Sequence, residues 1–430
     1  MRISSIIPCA RNANGSGHEQ RRQTDGPGKD EVNRMNDFRK TAQEMLEFIR
    51  ISPTCFHAVA NIGRMLEAAG FQQLQEKEEW KLEKGGRYYT ERNDSSVIAF
   101  VIPEKEVGIR GFHMAAAHSD SPCFKIKEKP ELTVEEHYLR LNTEKYGGMI
   151  LSTWLDRPLS VAGRLAVKNG NGIEGRLVNI DRDLCVIPNV AIHMNREMNK
   201  GVEYNPQVDL LPLLADVSFD EYDTHTTYDA QTASENAEEQ PETVEKPTLA
   251  ALAAEAAGVD AETILGEDLF LYTRQEGKMI GAKGEFVLSP RLDDLQCAFS
   301  SMEGFLQGNR EESISVHCVL DNEEVGSSTR QGAASAFLKD TLMRINMGLG
   351  RTQEEYYMAL ADSFMISADN AHALHPNYTD KTDPTNHPVL NKGIVIKFNA
   401  NQKYCTDGIS AAMFKELCKK AGVSCQVYVN

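Results

Sequence analysis

Residues 314–328 read ISVHCVLDNEEVGSS, a seven-residue run dominated by Ile, Val, Cys and Leu that passes without a break into acidic and turn-forming residues. A short apolar run of this length, bounded by a polar turn, is the signature of a buried strand. Three other runs have the same form: residues 111–117 lead into HSDSP, residues 364–367 into ADNAHALHPN, and residues 393–398 into NANQKY. Buried strands of this kind predict an α/β sheet, and such sheets take their ligands beyond the carboxyl ends of the strands. The four polar runs are therefore expected to converge in space.

The intervening region has a different grain. In LRLNTEKYGG, GRLAVKNGNGIEGRLVNI and KMIGAKGEF, apolar and polar residues alternate between N-G and G-G turns. This pattern predicts an antiparallel β domain, residues 124–284, inserted into the α/β domain. Residues 1–34 carry almost no periodic apolar pattern after Ile7 and are expected to be an unstructured extension. Met35 stands just beyond it as an alternative translation start. The following segment DFRKTAQEMLEFI places Phe38, Met45, Leu46 and Ile49 on one helix stripe. Residues 35–123 and 285–430 are read as the two parts of the α/β domain. From Asp216 to Asp268 the chain has fifteen acidic residues against one basic, so nearly all of the net charge of −17 sits there. Its middle, near 217–247, reads as a solvated mobile loop. Pro247 and Thr248 then open an Ala/Leu helix that ends at Gly258.

With 46 basic and 63 acidic residues in 430, the chain has no positive surplus with which to release counterions from a phosphate backbone, which argues against a nucleic-acid partner. No apolar run approaches the roughly 18 residues of a membrane helix, and the first 34 residues lack the apolar core of a secretory signal. A cytoplasmic protein without a membrane partner is expected. Nine scattered cysteines, with no C-x-x-C pair, fit reduced thiols.

Peptide hydrolysis at neutral pH needs an activated water, which two divalent ions held by carboxylates and neutral imidazole supply. The polar runs contain these groups. In HSD, His118 is a candidate metal ligand and Asp120 the acceptor that fixes its tautomer. In SPRLDDL, Asp293 has two oxygens with which to bridge two metals. In DNEEVG, Glu323 and Glu324 are expected to point apart, so that one ligates while the other takes a proton. Asp369 completes the carboxylate set. Each motif alone has a bland reading, as a helix cap or a solvated face, and only their joint occurrence after apolar strands is specific. His57, His113 and His317 lie in or beside apolar runs and read as packed or capping residues. His372 and His375 follow Asp369 closely and read as groups around the site, His372 on the substrate side. His193 has no local partner.

The motifs AAAHSDSPCFKIK, TWLDRPLSVAGR, NVAIHMNREMNKG, FVLSPRLDDL, VLDNEEVGSSTRQGA, ISADNAHALHPNY and KGIVIKFNANQKY occur in order over residues 37–430 and closely resemble the aspartyl aminopeptidase family of dizinc exopeptidases. The resemblance implies a zinc-peptidase-like mixed sheet flanked by helices, with inserted β domains, assembled as a dodecamer. It implies a first Zn2+ held by His118, Asp293 and Asp369, and a second sharing Asp293 and using Glu324. Glu323 would be the general base and Asp120 the orienter of His118. Lys397 matches the position that meets an acidic substrate side chain, and His193 a residue projected into a neighbouring subunit's active site. The implied substrates are peptides with an N-terminal Asp or Glu.

One departure stands out. The family's second zinc takes a further histidine from a Met-His-Ser segment beyond a Gly-Gly-Ser-Thr stretch, and this sequence stops at VSCQVYVN without either. The expectation is a chain cut short in its catalytic domain, with the second metal held only by Asp293 and Glu324. The alternatives are that water or a neighbouring His fills the gap, or that the chain is a metal-poor, non-enzymatic assembly subunit or fragment.

Overall fold

The computed structural model describes residues 2–5, 29–217 and 248–429, apart from loop positions 106, 107, 109 and 309–312. Its centre is a six-stranded mixed sheet in the order Phe364–Ser367, Phe112–His118, Ile314–Leu320, Ser96–Val101, Arg87–Arg92, Gln72–Gln73. The first three strands run parallel, with Leu320 opposite His118 and Ser367 opposite Ala116. They therefore end together at one edge of the sheet.

Period-two alternation explains why both faces are covered. In Ser96–Val101 every residue is buried: Val97, Ala99 and Val101 face one helical layer, Ile98 and Phe100 the other. The first layer contains helices Lys29–Arg50, Cys55–Ala68 and Leu292–Gln307, which contribute Ile49, Val59, Ile62, Leu66, Leu295 and Phe299. The second contains Phe337–Gly348 and Gln353–Ala361, with Phe337, Leu342, Ile345 and Tyr356. Thr352 and Glu355 form a capping box at the start of the last of these helices.

The inserted sheet is antiparallel at every pairing, in the order Leu213–Asp216, Tyr138–Tyr146, Cys123–Val134, Ile264–Thr273, Leu159–Asn169, Gly172–Asn179. Phe124, Leu141, Leu159, Val161, Leu165, Leu269 and Leu271 form its core, closed by Leu249 and Ala253 of helix Leu249–Ala257. That helix starts as the sequence implies, with the Thr248 hydroxyl accepting from the Ala251 amide, and ends with Gly258 in the left-handed region at φ 65°.

Four expectations are corrected. Arg2–Ser5 is a strand paired with Phe286–Ser289, and the first helix begins at Lys29, so the unstructured extension does not hold at either end of residues 1–34. KMIGAKGEF lies outside the inserted sheet: Lys278–Ile280 turns back through Gly281 and Gly284 onto Phe286–Ser289, because a hairpin pairs with its own neighbour first. The run at 393–398 is not a fourth strand of the central sheet. Ile394–Phe398 pairs in parallel with Cys425–Val429 in a separate two-stranded sheet. Phe364–Ser367 is an edge strand and only half buried. The acidic segment 218–247 lies outside the described residues. All eight described cysteines are free, and no described helix is long and apolar enough to cross a membrane.

Candidate active site

The polar runs after the three parallel strands meet at the common strand edge. The Ser119 amide donates to the Leu320 carbonyl at 2.9 Å, so the ladder extends one residue past the His118 strand and fixes where His118 projects. His118 is nearly enclosed. Its Nδ1 is 3.2 Å from Asp120 Oδ1, and its Nε2 is 3.4 Å from Asp293 Oδ1 and 3.9 Å from Glu323 Oε2. Candidate ligand atoms of His118, Asp293, Asp294 and Asp369 all lie within 4.8 Å of one another, and so do those of His118, Glu323 and Glu324.

Helix Leu292–Gln307 supplies two of these acids from a first turn that departs from helical geometry at Asp293 and Asp294. Ser121 Oγ donates to the Asp293 carbonyl at 2.8 Å, which ties this turn to the segment after His118. Asp294 is completely buried and its Oδ2 accepts the His118 amide at 3.1 Å. Asp369 follows the edge strand and receives Lys397 Nζ at 2.8 Å.

Glu323 and Glu324 occupy a 3-10 turn, entered through Asn322 in the left-handed region at φ 65°. Strict alternation to opposite sides belongs to extended chain. On this turn both carboxylates come to His118, which corrects the expectation that they point apart. Asp120 holds the turn in place: its Oδ1 accepts the Glu323 amide and its Oδ2 the Glu324 amide, each at 3.1 Å. Tyr146 Oη adds a 2.7 Å bond to Oδ2.

The electrostatics are those of a site short of positive charge. Burial disfavours the imidazolium of His118, but the hydrogen bond to Asp120 and the charges of Asp294, Asp120 and Glu323 outweigh it and raise the ring to about 9. Burial, with Asp369 nearby, lifts Asp294 to about 7. Burial would raise Asp120 too, yet its bonds to His118, Tyr146 and the Glu324 amide hold it below the ordinary carboxylate range. A cluster of hard oxygens and one imidazole that draws a proton so strongly offers a divalent cation the same attraction, and the donor set suits zinc.

The other candidates are placed as follows. Lys397 also donates to the Asn370 carbonyl at 2.8 Å, and so faces the cluster. His372 is exposed, its ring edge-on to Tyr428 at 6.4 Å. His193 lies on an exposed turn of the inserted domain, outside both groups of candidate ligands. His57 bonds the N-cap Thr54 at 2.9 Å, and His317 is buried against Ser301 and Phe305, as packed or capping residues should be. His113 bonds Ser313 at 2.8 Å. Sequence reasoning missed Asp294, Asn322 and Tyr146. The doubled Asp in RLDDL was a signal for the first; KYGG was read only as a turn.

The zinc reading is matched by known proteins. Residues 48–430 fit the family model described as aminopeptidase I zinc metalloprotease (M18). The chain belongs to the M18 family of zinc aminopeptidases. The chain is 47% identical over 393 residues to a probable M18 family aminopeptidase 2 of Clostridium novyi, a match covering 91% of this chain and 86% of the relative. Among solved structures, the fold recurs in a chain of the Ape4 and Nbr1 complex, at TM-score 0.82 and 35% identity over 91% of this chain and 75% of that one. It recurs also in the mApe1 dodecamer of S. cerevisiae, at TM-score 0.75 and 26% identity over 91% and 86%. As an M18 member the chain is a hydrolase of the aminopeptidase class, and its carboxylate-and-imidazole cluster lies within the matched region.

Proposed function

We propose that this M18 aminopeptidase removes N-terminal Asp or Glu residues from peptides in the cytoplasm, with two zinc ions to activate water. His118, Asp293 and Asp369 would hold the first ion, and Asp293 and Glu324 the second. Bound zinc supplies positive charge that polarises the scissile carbonyl and eases deprotonation of water. Glu323, whose side chain is 53% exposed at the mouth of the cluster, accepts the water's proton and passes it to the departing amine. Asp120 keeps the His118 ring oriented with Nε2 toward the cluster. Lys397 Nζ, beside Asp369, meets the acidic side chain of the substrate as a point charge, with His372 on the same side. His193 serves a neighbouring subunit of a homo-oligomer, for which the dodecameric mApe1 relative is the precedent.

The observation that carries this reading is that His118 is shared by two groups of candidate ligands, one with Asp293, Asp294 and Asp369 and one with Glu323 and Glu324, at the ends of parallel strands. The test is removal of metal with phenanthroline, then restoration with zinc, with glutamyl- and leucyl-anilides as substrates. Hydrolysis should vanish and return, and the glutamyl substrate should be preferred. Unchanged turnover in metal-free buffer sinks the metal mechanism, and equal use of both substrates sinks the acidic preference. A chain that binds no zinc and hydrolyses neither would instead be an assembly subunit.

A further inference from the structure

The Asp120 carboxylate faces four donor groups, two on each oxygen, and its main-chain carbonyl shares the His118 Nδ1 at 3.1 Å. The His118 ring, the Glu323 amide and the Glu324 amide come from the α/β domain. The fourth, the Tyr146 hydroxyl at 2.7 Å from Oδ2, comes from the last residue of inserted-sheet strand Tyr138–Tyr146. Its polarity is fixed by the group behind it. Asn322 Oδ1 accepts from Thr329 Oγ1 at 2.7 Å and from Gln331 Nε2 at 2.8 Å, so the amide turns its Nδ2 toward Tyr146 and donates to Oη at 2.9 Å. A phenol has one proton. With its oxygen already accepting from Asn322, that proton goes to Asp120.

Two further features hold the phenol in place. The Tyr146 ring meets Phe270 edge-on at 5.9 Å. The next residue, Gly147, has φ +75°, and a Cβ there would lie 3.0 Å from Glu324 Cβ and 3.4 Å from Pro122 Cα, so the strand end is pressed against the turn that carries both glutamates.

We propose that Tyr146 is a positioning residue: its hydroxyl locks the Asp120 carboxylate in the one orientation that serves the His118 ring and the Glu323–Glu324 turn together, and so makes active-site geometry depend on the docked inserted domain. The inference rests on the aminopeptidase reading for its kinetic consequence. A carboxylate that loses a charge-assisted donor rotates to recover one, and each rotation releases either the ring or the amides. The relay Thr329 and Gln331 to Asn322 to Tyr146 to Asp120 then acts on the metal ligands without touching metal or substrate.

The experiment compares zinc-loaded wild type with Tyr146→Phe, Asn322→Asp, Asp120→Asn and the double variant Tyr146→Phe/Asp120→Asn, measuring kcat, KM and zinc affinity by competition with a chromophoric chelator. Tyr146→Phe keeps the ring packing; it should lower kcat and zinc affinity by about 10-fold each, the lower end for loss of an outer-sphere partner of a ligand, and leave KM within about twofold. Asn322→Asp leaves Tyr146 intact but replaces its donor by an acceptor that competes for the phenolic proton, and should reproduce the loss. In the Asp120→Asn background, Tyr146→Phe should have no further effect. Additive losses in the double variant, or an unchanged kcat and zinc affinity accompanied only by a lower Tm, overturn the proposal. If wild type hydrolyses no anilide, the aminopeptidase reading fails by itself, and the zinc-affinity cycle still decides whether Tyr146 acts through Asp120.

Discussion

Lys397 Nζ lies 2.8 Å from Asp369 Oδ2, the lysine side chain 13% exposed and the aspartate side chain 38%. It sets an ammonium against the acidic cluster, and Tyr404 flanks it with its ring centroid 5.3 Å away. An ammonium held this way can neutralise Asp369, greet an acidic substrate, or do both, and substitution separates the two.

Lys397→Met should reduce kcat/KM for a glutamyl-anilide about 10-fold or more relative to a leucyl-anilide, since each tenfold corresponds to about 1.4 kcal/mol, within reach of one charge-assisted contact. An unchanged ratio between the two substrates would mean that Lys397 serves Asp369 alone.

The two adjacent glutamates should separate in behaviour. Glu323→Gln retains a hydrogen-bond acceptor but no base, and kcat should fall by about 10²–10⁴ with zinc content intact. Glu324→Gln should lose zinc first. Elemental analysis and kcat on both variants assign the roles, and an exchange of the two phenotypes reverses them.

Gly147→Ala should destabilise the protein and slow it. A left-handed φ costs an L-residue about 1–2 kcal/mol, and the added methyl would press on Glu324 at Cβ, which cannot swing away as a side-chain tip can. Gly148→Ala is the matched control, because a Cβ there meets nothing within 4 Å. Urea midpoints and kcat should fall for the first variant and stay near wild type for the second.

Acid should expose the cost of His317, which is fully buried and held neutral by that burial at about 3. Its folded pKa lies below the ordinary 6.5 or so, so the unfolded chain binds the extra proton between those values. The stability contribution of neutral His317 is complete above about pH 6.5 and is lost as pH falls toward 3. Burial moves Glu91 and Glu267 the opposite way, to about 7, so the wild-type curve mixes opposing slopes and the difference between variants is the cleaner readout. The stability gap between wild type and His317→Gln should shrink by up to about 3 kcal/mol from pH 7 to pH 4. A gap independent of pH would show that His317 takes up its proton as readily in the folded protein as in the unfolded chain.

Much of the site was legible in the sequence. HSD, RLDD, DNEEVG and SADN each follow an apolar run, and the strands at Ile314–Leu320 and Phe364–Ser367 fall where those runs predicted them. A strand written in β-branched residues reports its own existence, because burial on both faces leaves no polar alternation. Partnership is different. The run at 393–398 has the same composition, yet Ile394–Phe398 pairs with Cys425–Val429 and stays out of the central sheet; nothing local in a strand names its neighbour.

The sequence by itself determined which chemistry is present: one imidazole, a set of carboxylates and a lysine, each in or just after an apolar run, with the inserted β domain between them. Only the tertiary structure decided how these groups act on one another. Asp294, silent beside Asp293 in the sequence, became the buried acceptor of the His118 amide. Tyr146, 26 residues from Asp120, and Asn322, 176 residues from Tyr146, became members of one hydrogen-bonded chain. The physical reason is range: strand and helix formation are set by neighbours within a few positions, whereas a hydrogen bond between domains depends on where two separately folded surfaces dock, and Gly147 against Glu324 is where this one does.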